Sequence, residues 1–154
     1  MKTKCIILSL AIVLICTLYV SSEESFYGRW KINTIITTPG ISALNQEEAE
    51  SVLGKTLYLS PEDAIFDNNF TCKNPIYEKR RLTESEFFSE SWLNFKDLNI
   101  TGDSVIEITI YDDKGKEWEQ ILGRWFLIKD KDTLVTGWDG VYYELTRDST
   151  SSHK

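Results

Sequence analysis

The chain has 154 residues, a net charge of −7 at pH 7, three cysteines and one histidine. Its length fits one domain with a core of ordinary size. Its acidity disfavours nucleic acid and anionic membrane surfaces as partners. With His153 near the C-terminus as the one histidine, the composition also argues against a histidine-based triad or a histidine–cysteine metal cluster.

Lys2 and Lys4 open the chain, and Cys5 to Val20 is almost wholly apolar. Val20-Ser21-Ser22 then supplies small residues at a cleavage position before Glu23-Glu24. That order predicts a secretory signal peptide over residues 1–22 and an exported product. An uncleaved anchor is the alternative, although the run is short for a span of about 20 residues. Cys16 follows Leu14-Ile15 rather than the small residue a lipid-modified cysteine would need. Without the leader's two lysines, 15 basic residues face 24 acidic ones, a net charge of −9. Cys72 is then the one remaining cysteine, so no internal disulfide is available. A small buried apolar role suits it, with intermolecular pairing or a reactive thiol as alternatives.

Phe26 to Thr38 reads as a strand in which Trp30, Ile32, Thr34 and Ile36 alternate with Lys31, Asn33, Ile35 and Thr37. Pro39-Gly40 breaks it. Ile41 to Leu53 reads as a helix, with Asn45 and Glu48 forming a capping box and Ser42 as a rival cap. Lys55 to Ser60 and Ala64 to Phe66 read as short strands around the Pro61-Glu62-Asp63 turn. Asp67 to Pro75 reads as loop, and Ile76 to Arg81 as extended chain. Thr83 with Glu86 opens a second helix, Glu84 to Phe95, with Phe87, Phe88, Trp92 and Phe95 crowding one side.

From Gly102 onward the pattern is a meander. Val105 to Tyr111, Glu117 to Leu122 and Arg124 to Ile128 read as strands, with a turn at Asp112 to Gly115 and a break at Gly123. Thr133 to Trp138 and Val141 to Thr146 form a hairpin around Asp139-Gly140. Residues 148–154 make a polar tail. Short strands joined by tight turns predict a mainly β fold with short helices, in which a meander sheet closes on itself and so hides its edges. A sheet with one helix packed across it is the competing architecture.

The chemistry points away from catalysis. No phosphate loop, dinucleotide fingerprint or metal set occurs, so no cofactor and no metal site are expected. A paired-carboxylate hydrolase ranks below the binding readings, because scattered acids on a small acidic domain are ordinary solvated surface. Asp130-Lys131-Asp132 is better explained by a hairpin turn than by a calcium loop. Asn69-Phe70-Thr71 and Asn99-Ile100-Thr101 match the glycosylation acceptor pattern. The positive signal is aromatic: five tryptophans and seven tyrosines in one short chain. Most fit a core, yet rings of this number can also line a cavity or anchor an interface.

Gly28-Arg29-Trp30 opens the first strand and Arg147 ends the last. This pairing resembles the lipocalin and fatty-acid-binding-protein superfamily, in which a first-strand tryptophan and a late arginine plug one end of a barrel. A guanidinium stacks on an indole face while bonding nearby carbonyls. The helix after the first strand and the closing Gly140 to Arg147 hairpin are similar to the fatty-acid-binding branch. The lipocalin middle motif is not recognisable, and Glu84 to Phe95 places a helix where family members continue as strands. The resemblance implies a small antiparallel lipocalin-like β-barrel over residues 23–147, with Trp30 and Arg147 as its structural plug.

The expected function is a secreted, non-enzymatic binding protein. It would carry a small apolar ligand in a barrel cavity lined by Tyr58, Trp118, Trp125 and Trp138. The alternative is a protein-interaction module or inhibitor of an extracellular enzyme, using an exposed aromatic or acidic patch on the Asp67 to Arg81 loop, where Cys72 lies. Neither reading involves nucleic acid, or a membrane once the leader is removed.

Overall fold

A computed structural model describes residues 26–37, 42–120 and 122–148. The leader at 1–22, the Pro39-Gly40 break, the first residue of the predicted first helix and residues 149–154 of the tail lie outside these residues. The protein is mainly β. Its strands are β1 (Gly28–Thr37), β2 (Thr56–Leu59), β3 (Asp63–Phe66), β4 (Phe70–Lys73), β5 (Ile76–Thr83), β6 (Ser104–Tyr111), β7 (Trp125–Asp130), β8 (Thr133–Trp138) and β9 (Val141–Arg147). The helices are α1 (Gln46–Glu50), α2 (Glu84–Ser91) and a short 3-10 turn, Phe95–Leu98.

The strands form one antiparallel sheet in the order β4-β3-β2-β1-β9-β8-β7-β6-β5. Apart from β4 and β5, strands consecutive in the chain pair with one another, and β9 returns to pair with β1. The two edges, β4 and β5, are consecutive in the chain and separated only by Asn74-Pro75. Three Cα steps of about 3.8 Å limit that separation to about 11 Å. A nine-stranded sheet whose opposite edges are so tethered must curl, and this one forms a half-barrel.

Strand alternation divides the hydrophobic residues into two clusters. Trp30, Leu57, Phe66, Ile108, Phe126, Leu134 and Tyr143 belong to the cluster on the concave face, which draws on almost every strand. Leu82, Val105, Leu127 and Val135 project from the other face and meet Phe87 of α2 and Phe95 and Leu98 of the 3-10 turn. The helical segment therefore covers the convex side of the sheet.

Several local expectations are revised. Asp67 to Pro75 is not all loop, because Phe70–Lys73 pairs with β3 as an edge strand. Asp67 and Asn68 both adopt left-handed backbone (φ 52° and 57°), which turns the chain tightly enough for that hairpin. The first helix is shorter than Ile41 to Leu53. The Asn45–Glu48 capping box is present, but the α-helical residues are Gln46–Glu50. The second helix carries its Thr83–Glu86 box and stops at Ser91, where Trp92 turns left-handed (φ 63°). Phe87 and Phe95 are buried, but Phe88 and Trp92 face outward.

Among the described residues of Glu117 to Leu122 no strand forms. Beyond a single bridge from Glu117 to Tyr111, Trp118 and Leu122 are buried in the inner core. In β1 a register shift between Ile32 and Thr34 reverses the alternation. Ile35 consequently packs on the inner cluster and Ile36 on the outer one.

Candidate functional site

The convex face carries an open groove beside α2. The register Leu127↔Val135 and Gly137↔Tyr142 aligns Trp125, Gly137 and Tyr142 across β7, β8 and β9. The absent side chain at Gly137 makes room for the indole: a Cβ there would stand 3.0 Å from Cζ2 of Trp125. Trp125 and Tyr142 meet edge-on with ring centroids 6.3 Å apart, and Phe87 of α2 meets Tyr142 at 6.2 Å. The Thr136 hydroxyl donates to the Trp125 carbonyl at 2.7 Å and fixes the strand beneath the ring. On the α2 side, a cleft of about 300 Å³ is bordered by Arg80, Glu107, Glu90, Ser91 and Thr109. A second cleft, about 320 Å³, is bordered by Trp138 and Asp139. The two share Arg124, Trp125 and Tyr142, so the aromatic pair lies between two arms.

The rim is an ordered charge network. Arg80 donates to both oxygens of Glu90 at 3.1 Å and through Nε to Glu107 at 3.1 Å. Such a fork fixes three side chains in one arrangement. Arg124 has a looser partner, Glu117, at 4.0 Å. Burial raises the Glu107 carboxyl above its ordinary value, with Arg80 opposing it. Burial likewise raises the Tyr142 phenol, opposed by the Ser91 hydrogen bond. Because Glu107 binds its proton more tightly folded than unfolded, ionisation across the carboxylate range costs stability. Glu107→Gln is therefore expected to raise the melting temperature at pH 7. The gain should vanish as pH falls below that range, which thermal melts across pH would show.

Comparisons of the chain with protein-family models, with curated proteins and with solved structures find no match. The site is therefore read from its own geometry.

The four aromatic candidates for an inner cavity do not converge there. Tyr58 is 36% exposed on β2. Trp118 is buried in the inner core and borders a different groove, about 760 Å³, beside Phe70 and Cys72 of β4. Trp125 packs on the outer cluster. Trp138 packs against the inner cluster and reaches the groove's second arm. Trp125 and Trp138 border one concavity, beside Gly137 and Tyr142.

Trp30 and Arg147 do meet. Trp30 is fully buried, and the guanidinium carbon lies 4.2 Å from its ring centroid. Arg147 also donates to the carbonyls of Tyr27 and Lys131, at 2.8 and 2.9 Å. Gly28 has φ +132°, and a Cβ there would stand 2.7 Å from Arg147 Nη1, so both backbone and space call for glycine.

Cys72 is buried. Its thiol is pushed up first by burial and then by Asp112, Asp113 and Asp63. Asn69 and Asn99 are both exposed, on the turn before β4 and at the end of the 3-10 turn. Among the described residues, no group of three or more His, Cys, Asp or Glu side chains could hold a metal ion.

Arg80, Glu90, Glu107 and Tyr142 were not singled out from the sequence. Strand parity carried a signal for part of the site: once Phe126 and Tyr143 face inward, Trp125 and Tyr142 must face outward.

Proposed function

We propose that the protein is a non-enzymatic binding protein that acts outside the cell and holds a small molecule in the outer groove. The observation that carries this reading is the half-buried Trp125–Tyr142 pair, flanked on both sides by concave surface and bordered by fixed charges. Aromatic floors with a few convergent polar groups are common features of small-molecule sites. The ligand would be amphiphilic rather than wholly apolar. A flat apolar face would lie on the indole, and an anionic group would reach Arg124, whose own partner is distant. The charged, apolar and small-residue order of residues 1–22 supports export. The Trp30–Arg147 contact supports a lipocalin-like barrel. Of the groove's carboxylates, Glu90 and Glu107 are engaged by Arg80 and Glu117 lies 4.0 Å from Arg124, which supports binding over hydrolysis.

The test is a titration with anilinonaphthalene sulfonate, a planar aromatic anion. Saturable binding at one site is expected, and Trp125→Ala should weaken it at least tenfold. Tyr58→Ala, on β2, should leave it unchanged. Equal affinity in Trp125→Ala would remove the groove from consideration.

A further inference from the structure

The end of α2 displays two large aromatic side chains to solvent. Trp92 is 80% exposed and Phe88 44%, and their ring centroids lie 6.3 Å apart. Trp92 occupies left-handed backbone at the helix C-cap, where glycine is the ordinary residue. A bulky side chain there costs conformational energy, and its exposure returns no burial. Folding alone gains nothing from a tryptophan at this position.

The surrounding chemistry defines what would cover it. Helix α2, Glu-Ser-Glu-Phe-Phe-Ser-Glu-Ser, has three glutamates and no lysine or arginine. Glu84 stands one turn before Phe88, in the same row of the helix surface, and keeps its negative charge while one oxygen accepts from the Phe95 N–H at 3.0 Å. The last turn contains no basic residue, so nothing on the helix offsets the negative end of its dipole beside Trp92. An indole face, a row carboxylate and a helix C-terminus all favour positive charge. A second copy of this acidic chain, or an anionic membrane, would meet repulsion here.

We propose that the Phe88–Trp92 face docks a cationic segment of a partner protein, with an arginine or lysine side chain laid over Trp92. This surface is distinct from the ligand groove, whose aromatic pair is Trp125 and Tyr142.

A dye-labelled decapeptide of alternating arginine and serine serves as the probe, followed by anisotropy in low salt. The full chain should bind it. Trp92→Ala and Phe88→Ala should each weaken binding about fivefold to tenfold, as expected for loss of a cation–π contact, and Trp92→Phe should recover most of it. These variants leave the net charge unchanged, so they separate docking from general attraction to an acidic protein. Phe70→Ala, another exposed aromatic position, should bind like the parent. Trp92→Gly should bind weakly yet melt a few degrees higher, because glycine relieves the backbone. That result would exclude misfolding as the cause of lost affinity. The proposal is overturned by equal affinity in Trp92→Ala, by equal binding of a glutamate–serine peptide, or by no binding at all. It is also overturned if Trp92 instead governs self-association in sedimentation or attachment to phosphatidylserine vesicles.

Discussion

Trp30→Ala is expected to destabilise the protein by about 3–5 kcal/mol, the usual cost of deleting a large buried aromatic side chain. The side chain is fully buried in the inner cluster, and its indole N–H donates to the Phe26 carbonyl at 2.8 Å. The deletion therefore leaves a cavity, an unpartnered carbonyl and a guanidinium with no ring beneath it. Against a total stability of about 5–15 kcal/mol, that loss brings the protein near its unfolding threshold. Arg147→Ala should cost less, because water can reach part of that side chain, but it releases the carbonyls of Tyr27 and Lys131. Arg147→Lys cannot restore both bonds, since an ammonium lacks the planar fork. Urea denaturation of the two alanine variants and their double mutant should give a coupling energy of about 1–2 kcal/mol. A cost below about 1 kcal/mol for Trp30→Ala would show that the Trp30–Arg147 contact does not hold the fold together.

How far the sequence reached depended on the range of the signal. Capping boxes are contained within four residues, and both are present at Asn45–Glu48 and Thr83–Glu86. The Asp139-Gly140 hairpin and the β-rich character of the second half are equally local features. Helix lengths were less legible, because nothing in the local pattern marks Trp92 as the place where α2 ends. Edge strand β4 was missed because Asn68, Asn69 and Asn74 surround it with turn residues, and it pairs on one side only. Glu117 to Leu122 looked like a strand because Trp118, Ile121 and Leu122 lie between the Asp112–Gly115 turn and the break at Gly123. Trp118 and Leu122 are buried in the inner cluster rather than in a ladder.

The groove was harder to read because its parts come from different elements. Arg80 on β5, Glu107 on β6, Trp125 on β7 and Tyr142 on β9 become neighbours only after the meander is paired in register. The aromatic count was informative about chemistry but silent about which face each ring takes. Parity resolves that question once a single inward residue per strand is known. The bulge in β1 breaks that parity, since one inserted residue exchanges the faces of Ile35 and Ile36.

The second large effect is expected beside the seam between β4 and β5, where Tyr77 ties edge strand β5 to the β2–β3 turn. Tyr77 of β5 projects into the barrel and donates its hydroxyl to the Ser60 carbonyl at 2.8 Å, on the turn between β2 and β3. Its ring packs against Phe26 at 5.1 Å and Tyr27 at 5.6 Å, and Phe26 continues to Phe126 at 5.7 Å. Burial, followed by the neighbouring Tyr27, holds the phenol protonated well above its ordinary range, so it stays a donor at any ordinary pH. Tyr77→Ala removes both the ring cluster and the bond, and about 3–5 kcal/mol of lost stability is expected. Tyr77→Phe keeps the rings and forfeits one hydrogen bond, at a cost of about 1 kcal/mol. Hydrogen exchange should then distinguish closure from simple packing. If the seam is what holds the edges, Tyr77→Ala should speed exchange in β4 and β5 far more than in the central β1–β9 pair. Uniform acceleration across all nine strands would mean that Tyr77 stabilises the fold globally rather than at the seam.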